Sequence, residues 1–299
     1  MARTRRRASL AFGARATSAG CEPEGVPATV VRWAPVGAIG VFDSGVGGLS
    51  VLREVRRELP HESLLYVADS GHAPYGEKSS AFVVERSRAI ATHLIEQGAQ
   101  SLVVACNTAT AEAVDALRAI HTLPIVGIEP GVKPAVETTK SGVVGVLVTS
   151  RTARSPRLAS LLARFAGGAR VLVQPCKGWV ELVERGALSG DDTERAVRHY
   201  IEPLLAQGVD VLALGCTHYS FLGPTIRAVV GPDVTLVDPA PSVARHLRRR
   251  LEEAKLVAGA SVTATEHAWT SGVVDTVSPL IEALWGSAMP VRGLPSAYS

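Results

Sequence analysis

The chain has 299 residues, 46% of them hydrophobic and 20% charged, with a formal net charge of +3 at neutral pH. This length predicts about two globular domains, and no apolar run is long enough to cross a membrane. The excess positive charge lies in an N-terminal arginine cluster, so nucleic acid is not indicated as a partner. Four cysteines do not make a disulfide framework in a chain of this size, which favours a reducing, cytoplasmic compartment.

Residues 1–36 are predicted to form a disordered basic extension. They are rich in Arg, Ala, Gly and Pro and show no periodicity. A secretion signal does not fit them, because the apolar centre is short and Arg15 interrupts it.

The first ordered stretch begins near residue 37, where a short apolar strand leads into the sequence DSGVGG (residues 43–48) and then an amphipathic helix. This is the layout of an anion-binding helix N-terminus, but the glycine spacing fits neither a dinucleotide fingerprint nor a phosphate-binding loop. The carboxylate of Asp43 would repel a phosphate. It is suited to a substrate ammonium or to a nearby proton. A second polar loop at residues 68–76 carries Asp69 and His72, which are read equally well as site residues or as a surface turn.

One stretch of the chain occurs twice. Residues 94–108 (LIEQGAQSLVVACNT) and 204–218 (LLAQGVDVLALGCTH) match at five positions with an offset of 110, including Cys106 and Cys216. Each copy reads as a helix end closed by Gly, then an apolar strand, then Cys. Because ligands of open α/β sheets bind at the carboxyl ends of strands, the two thiols are predicted to face one cleft. The alternative is that both are buried structural thiols.

The alternation of strands and helices predicts an α/β fold of two similar domains, each a parallel sheet flanked by helices and related by a pseudo-two-fold axis. Residues 37–130 plus 240–287 are predicted to form the first domain and residues 131–239 the second. Residues 288–299 are predicted to be a frayed tail. Cys176 has no counterpart in the repeat and is read as structural or peripheral.

Two thiols on opposite sides of one carbon suit a particular chemistry. One can remove a proton from one face while the other returns a proton to the opposite face, which inverts a stereocentre without a cofactor. Asp43 and His218 are the right types to manage these protons. Asn107, Thr108 and Thr217 are neutral donors that suit a substrate carboxylate.

Three rival readings compete with this one. A nucleophilic Cys216 with His218 as its base is disfavoured, because residues two apart on an extended tip rarely pair directly. Zinc bound by Cys106, Cys216 and His218 has the right ligand types but lacks the usual spacing, so no metal is predicted. A non-catalytic two-domain binding protein would also have a cleft but would not need paired thiols.

Four collinear motifs resemble those of the glutamate racemases, in the aspartate/glutamate racemase superfamily. They are FDSGVGG (42–48), APYG (73–76), ACNTA (105–109) and GCTHY (215–219). The resemblance covers residues 38–280 and implies a cofactor-independent enzyme with its site between two domains, supplying D-glutamate for peptidoglycan. It implies that Cys106 deprotonates D-glutamate and Cys216 L-glutamate, assisted by Asp43 and His218. It implies substrate contacts from the following residues: Asp43, Ser44, Tyr75, Gly76, Asn107, Thr108, Thr152, Thr217 and His218.

The sequence departs from the family pattern in a few places. Arg151 precedes Thr152 where Gly is usual, no Tyr lies within residues 155–158, and Lys177 stands where Pro is usual. Two alternatives therefore stay open: an aspartate or other superfamily racemase, and a non-catalytic amino-acid-binding protein. The sequence allows a homodimer but assigns no patch to an interface.

Overall fold

The structure is a computed structural model that describes residues 37–259 and 263–299. The predicted basic extension at residues 1–36 lies outside the described residues. No helix in the described part of the chain combines the length and apolar character that crossing a membrane requires.

The described chain alternates strands with helices. The strands are β1 (Ala38–Asp43), β2 (Leu64–Ala68), β3 (Ala99–Val104), β4 (Ile125–Gly127), β5 (Val143–Val148), β6 (Arg170–Pro175), β7 (Val211–Gly215), β8 (Thr235–Val237), β9 (Glu266–Thr270) and β10 (Val291–Gly293). The helices are α1 (Leu49–Glu58), α2 (Ser80–Glu96), α3 (Asn107–Ile120), α4 (Val132–Thr138), α5 (Ser150–Ala153), α6 (Pro156–Phe165), α7 (Trp179–Glu184), α8 (Asp191–Leu205), α9 (Gly223–Val230), α10 (Ala240–Ala254) and α11 (Val274–Trp285).

The strands form two parallel sheets. The first has the order β10-β9-β2-β1-β3-β4 and the second β6-β5-β7-β8. The order β2-β1-β3-β4 therefore recurs as β6-β5-β7-β8, and the duplicated stretches end on the equivalent strands β3 and β7. This confirms the predicted fold class. We call the first sheet with its helices the first lobe, and the second sheet with its helices the second lobe.

Local sequence explains the central strands and the turns before them. β1, β2 and β7 are buried along their whole length, as expected for near-continuous apolar runs in sheets covered on both faces. Gly98 and Gly208 have φ values of +105° and +84°, a backbone region that glycine adopts readily and other residues avoid. Both predicted glycine-closed helix ends are therefore present just before β3 and β7.

One hydrophobic core joins the two lobes. It includes Leu52 and Leu247, from helices packed on the first sheet, together with Trp179, Leu212 and Tyr219 from the second lobe. Two further clusters cover the outer faces of the sheets. The relative placement of the two lobes is thus stabilised by burial of large apolar side chains.

The predicted frayed tail at residues 288–299 is wrong in part. Within it, β10 pairs with β9 at the edge of the first sheet, and the side chain of Tyr298 packs near His93 on α2. Backbone hydrogen bonds and aromatic packing order this segment, and neither was visible as a local pattern. The domain boundaries at residues 130/131 and 239/240 remain a prediction.

Candidate active site

The carboxyl ends of β1, β3 and β7 bring the candidate residues together. Cys106 follows β3 and Cys216 follows β7, and the two side chains are 5% and 7% exposed. Both line one small cavity of about 10 Å³ between the lobes. The remaining lining residues are Ser44, Pro74, Tyr75, Gly76, Asn107, Thr108, Thr149, Val180 and His218. The two thiols therefore share a cavity, as the sequence repeat predicts.

Cys106 is the residue that caps the N-terminus of α3. Its Sγ accepts a hydrogen bond from the backbone N–H of Ala109 at 3.4 Å, and its thiol donates to Ser44 Oγ at 3.7 Å. Burial raises the pKa of the Cys106 thiol well above its usual value, and the nearby charge of Asp43 adds to this rise, although the Ala109 amide works against it. The raised pKa favours the protonated thiol form of Cys106.

Cys216 lies beside an imidazole. Residues 217–220 form a short 3-10 turn, which places His218 Nδ1 3.8 Å from Cys216 Sγ. The expectation that residues two apart would not pair is therefore wrong, because it assumed an extended backbone. Burial alone would lower the pKa of His218, but the hydrogen bonds to Cys216 and Glu184 raise it by more, so the pKa lies well above its usual value.

Glu184 was missed by the sequence analysis. This residue ends α7, and Oε1 of its carboxylate contacts His218 Nε2 at 2.6 Å. It also accepts hydrogen bonds from the Val46 amide at 2.7 Å and Ser70 Oγ at 3.0 Å. One signal was available: a carboxylate in the last turn of a helix opposes the helix dipole, so it needs compensating donors elsewhere.

Asp43 lies behind the cavity and connects the lobes. Its carboxylate is fully buried; it accepts hydrogen bonds from the Ser44 amide at 2.7 Å and from Thr217 Oγ1 at 3.0 Å. His218 Nδ1 lies 3.9 Å away. Burial raises the pKa of the Asp43 carboxyl, while the His218 charge and these hydrogen bonds act in the opposite direction. The arrangement gives Asp43 contact with the groups next to both cysteines.

Two glycines permit this close packing. A Cβ atom on Gly45 would lie 1.8 Å from Glu184 Oε1, and one on Gly47 would lie 2.2 Å from His218 Nδ1. No side chain can occupy those positions without displacing the carboxylate or the imidazole. The glycine-rich turn after β1 therefore serves close approach of the opposite lobe.

The predicted substrate contacts divide into two groups. The cavity is lined by Ser44, Tyr75, Gly76, Asn107, Thr108 and His218. Asp43 and Thr152 lie one hydrogen bond behind it, through Ser44 and Thr108, and Thr217 is bonded to Asp43. The Asn107 amide is the clearest candidate, because both its Nδ2 and Oδ1 are buried without a hydrogen-bond partner. Such an unsatisfied group is costly unless a ligand completes it.

Tyr75 differs from the expectation in one respect. Its hydroxyl donates to Asp69, and Asp69 also receives two hydrogen bonds from the guanidinium of Arg86, at 3.0 and 2.7 Å. The hydroxyl is thus committed to a buried network, which leaves the ring and backbone of Tyr75 to face the cavity. The sequence allowed Asp69 and His72 to be either site residues or part of a surface turn. In the structure both side chains belong to this hydrogen-bond network.

Two further observations concern features that are not part of this site. The cavity of about 710 Å³ between α4, α6 and α10 is far larger but shares no lining residue with the cysteine cavity. Within residues 37–259 and 263–299, no group of three His, Cys, Asp or Glu side chains is close enough to hold a metal ion.

The fold and the site define a two-lobed α/β protein in which each lobe brings one cysteine to a shared cavity. A family model described as Asp/Glu/Hydantoin racemase matches residues 39–247. The glutamate racemase of Stutzerimonas stutzeri is 52% identical over 86% of this chain and 97% of its own length. The chain therefore belongs to the Asp/Glu/hydantoin racemase family, and within it to the glutamate racemases.

Solved structures agree with this assignment. The glutamate racemase isoform RacE1 from Bacillus anthracis superimposes with a TM-score of 0.80 at 32% identity, covering 87% of this chain and 98% of that chain. The Escherichia coli glutamate racemase, solved with L-glutamate and the activator UDP-MurNAc-ala, gives a TM-score of 0.78 at 34% identity, with coverage of 87% and 98%.

Proposed function

We propose that this protein interconverts L- and D-glutamate by two-base proton transfer at the α-carbon, with Cys106 and Cys216 as the acid/base pair and without a cofactor. The observation that carries the proposal is the shared cavity: two buried thiols reach it from equivalent strands of the two sheets. The choice of glutamate is supported by the Escherichia coli relative, which was solved with L-glutamate bound.

The groups around each sulfur indicate which thiol gives up a proton and which accepts one in each direction. In the L-to-D direction, a Cys216 thiolate removes the α-proton and the Cys106 thiol delivers its own proton to the opposite face. The turnover ends with Cys216 as the thiol and Cys106 as the thiolate, which is the starting state for the D-to-L direction. A protonated His218 can donate Nδ1–H to Cys216 and Nε2–H to Glu184, while the Ala109 amide donates to Cys106.

Substrate orientation uses the remaining groups. The N-terminus of α3 and the free amide of Asn107 provide donors for a substrate carboxylate. Ser44 lines the cavity directly in front of Asp43, so the negative charge for the substrate ammonium lies on that side. Thr152 and Thr217 act by orienting Thr108 and Asp43, respectively.

The decisive experiment follows exchange of the α-proton in deuterium oxide together with optical rotation, for both enantiomers and for aspartate. The wild type is expected to racemise glutamate and to incorporate deuterium into both enantiomers. Cys106→Ser and Cys216→Ser should each slow racemisation by about 10²-fold or more, because a hydroxyl seldom supplies the basic form near neutral pH. Cys176→Ser is the matched control, since this buried thiol lies outside the site cavity.

Three results would contradict the proposal. Wild-type racemisation by both single variants would exclude the two-thiol mechanism. Binding of glutamate without α-proton exchange would indicate a binding protein. Preferred turnover of aspartate would transfer the assignment to a sister activity.

The biological role proposed is the supply of D-glutamate for peptidoglycan in the cytoplasm. Three free cysteines in the described chain are consistent with a reducing compartment. Expression of the wild-type gene should restore growth of a bacterium that requires added D-glutamate, and the Cys106→Ser gene should not. Activity should also persist after treatment with a carbonyl reagent that inactivates pyridoxal enzymes.

A further inference from the structure

Ion pairs connect the two lobes along one side of the cysteine cavity. Arg151 Nη1 on α5 lies 3.5 Å from Glu112 Oε1 on α3, and the side chains are 25% and 14% exposed. Nearby, Arg157 on α6 reaches Glu129 at 2.7 Å and Asp115 at 3.2 Å. Because α3 belongs to the first lobe and α5 and α6 to the second, these pairs form only when the lobes are close together.

The Arg151–Glu112 pair lies immediately behind the cavity wall. Glu112 follows Thr108 by one turn of α3, and Arg151 directly precedes Thr152 on α5. The hydroxyls of Thr108 and Thr152 are 3.4 Å apart, and Thr108 lines the cavity. The ion pair and this hydroxyl contact therefore hold the same two helix N-termini against each other.

The cavity itself is too small for the proposed substrate. Its volume of about 10 Å³ is about what a single water molecule needs. A dicarboxylate amino acid is several times larger, so elements that line the cavity must move apart before it can reach the cysteines. Separation of α3 from α5 would lengthen the Arg151–Glu112 contact, and closure over the substrate would restore it.

We propose that Arg151 and Glu112 are positioning residues that clamp α3 to α5 and so stabilise the closed arrangement in which both thiols reach the substrate. The clamp rests on the proposed function, since it acts on closure around glutamate. Because the Arg151–Glu112 pair is partly buried, salt weakens its attraction less than that of a fully exposed pair, but a salt effect remains.

The test is a double-mutant cycle on kcat and KM for both enantiomers. Arg151→Gln and Glu112→Gln should each raise KM and lower kcat/KM by about threefold or more, in the range expected for directly contacting residues. The kcat/KM of the double variant should be no lower than that of the less active single variant. The exchanged pair, Arg151→Glu with Glu112→Arg, should recover part of the loss. Arg198→Gln, which breaks ion pairs within α8 alone, is the matched control and should leave kcat/KM unchanged.

Two further readouts separate a clamp from general stabilisation. Added sodium chloride should lower kcat/KM of the wild type more steeply than that of Arg151→Gln, because the variant has no pair left to screen. Backbone amides at the start of α3 and α5 should exchange with deuterium faster in Arg151→Gln than in Arg198→Gln. Additive effects in the cycle, an equal salt dependence, or unchanged amide exchange would each overturn the clamp. An inactive wild type would instead overturn the proposed function, while amide exchange would still report on the clamp.

Discussion

Replacement of Glu184 by Gln is the sharpest test of how His218 is used. The variant keeps the side-chain shape and can still accept hydrogen bonds through its amide oxygen, but it loses the negative charge 2.6 Å from His218 Nε2. A hydrogen bond to a charged group contributes about 1–2 kcal/mol more than a neutral one. If that difference is lost in the transition state, kcat/KM falls by about five- to thirtyfold.

The pH profile should change in a defined direction. In the wild type, the raised pKa of His218 keeps the imidazole protonated to higher pH, with Glu184 among the causes. Removal of the carboxylate charge lowers that pKa, so the imidazolium is lost at lower pH. The alkaline limb of the activity profile should therefore move to lower pH in Glu184→Gln.

The assay measures racemisation of both enantiomers across pH, together with the α-deuterium isotope effect. Since L- and D-glutamate have equal free energies in water, kcat/KM must fall equally in both directions. Differences between the enantiomers can then appear only in kcat, in a matching change of KM, and in the isotope effect. The isotope effect should increase mainly with L-glutamate, whose proton goes to Cys216. Glu181→Gln, on the same helix but without contact to His218, is the control. A reduced rate with an unmoved alkaline limb would refute the reasoning.

Two further predictions concern the glycine turn and a buried histidine. Gly47→Ala should displace His218 and lower kcat by about tenfold or more, whereas Gly168→Ala, with open space around it, should not. Burial lowers the pKa of His93 from 6.5 in the unfolded chain to about 4. The free energy of unfolding should therefore be independent of His93 protonation above pH 6.5. It should decrease as the pH falls from 6.5 towards 4, by up to about 3 kcal/mol. The free energy of unfolding, measured with denaturant, should depend less on pH in His93→Gln than in the wild type. His199→Gln, at an exposed position, should keep the wild-type pH dependence.

The sequence was most informative where a pattern repeats or is purely local. Apolar runs located the buried strands, and the offset of 110 residues placed Cys106 and Cys216 at equivalent strand ends. This works because the position of a side chain at the end of a parallel strand depends mainly on the strand itself.

Contacts between distant parts of the chain were not predictable in the same way. Glu184 is defined by its contacts with Val46, Ser70 and His218, which come from three separate segments. β10 is three residues long, and only its pairing with β9 makes it a strand.

The order of strands along the chain also bears on how a newly made molecule folds. The whole second sheet lies between β4 and β9 in the sequence, so during synthesis its four strands emerge together and can pair as a unit. The sheet begun by β1 keeps one side of β2 open until β9 has been made. An open strand edge is a template for pairing with other chains. A nascent chain therefore carries this unpaired edge from the synthesis of β2 until that of β9, about two hundred residues later.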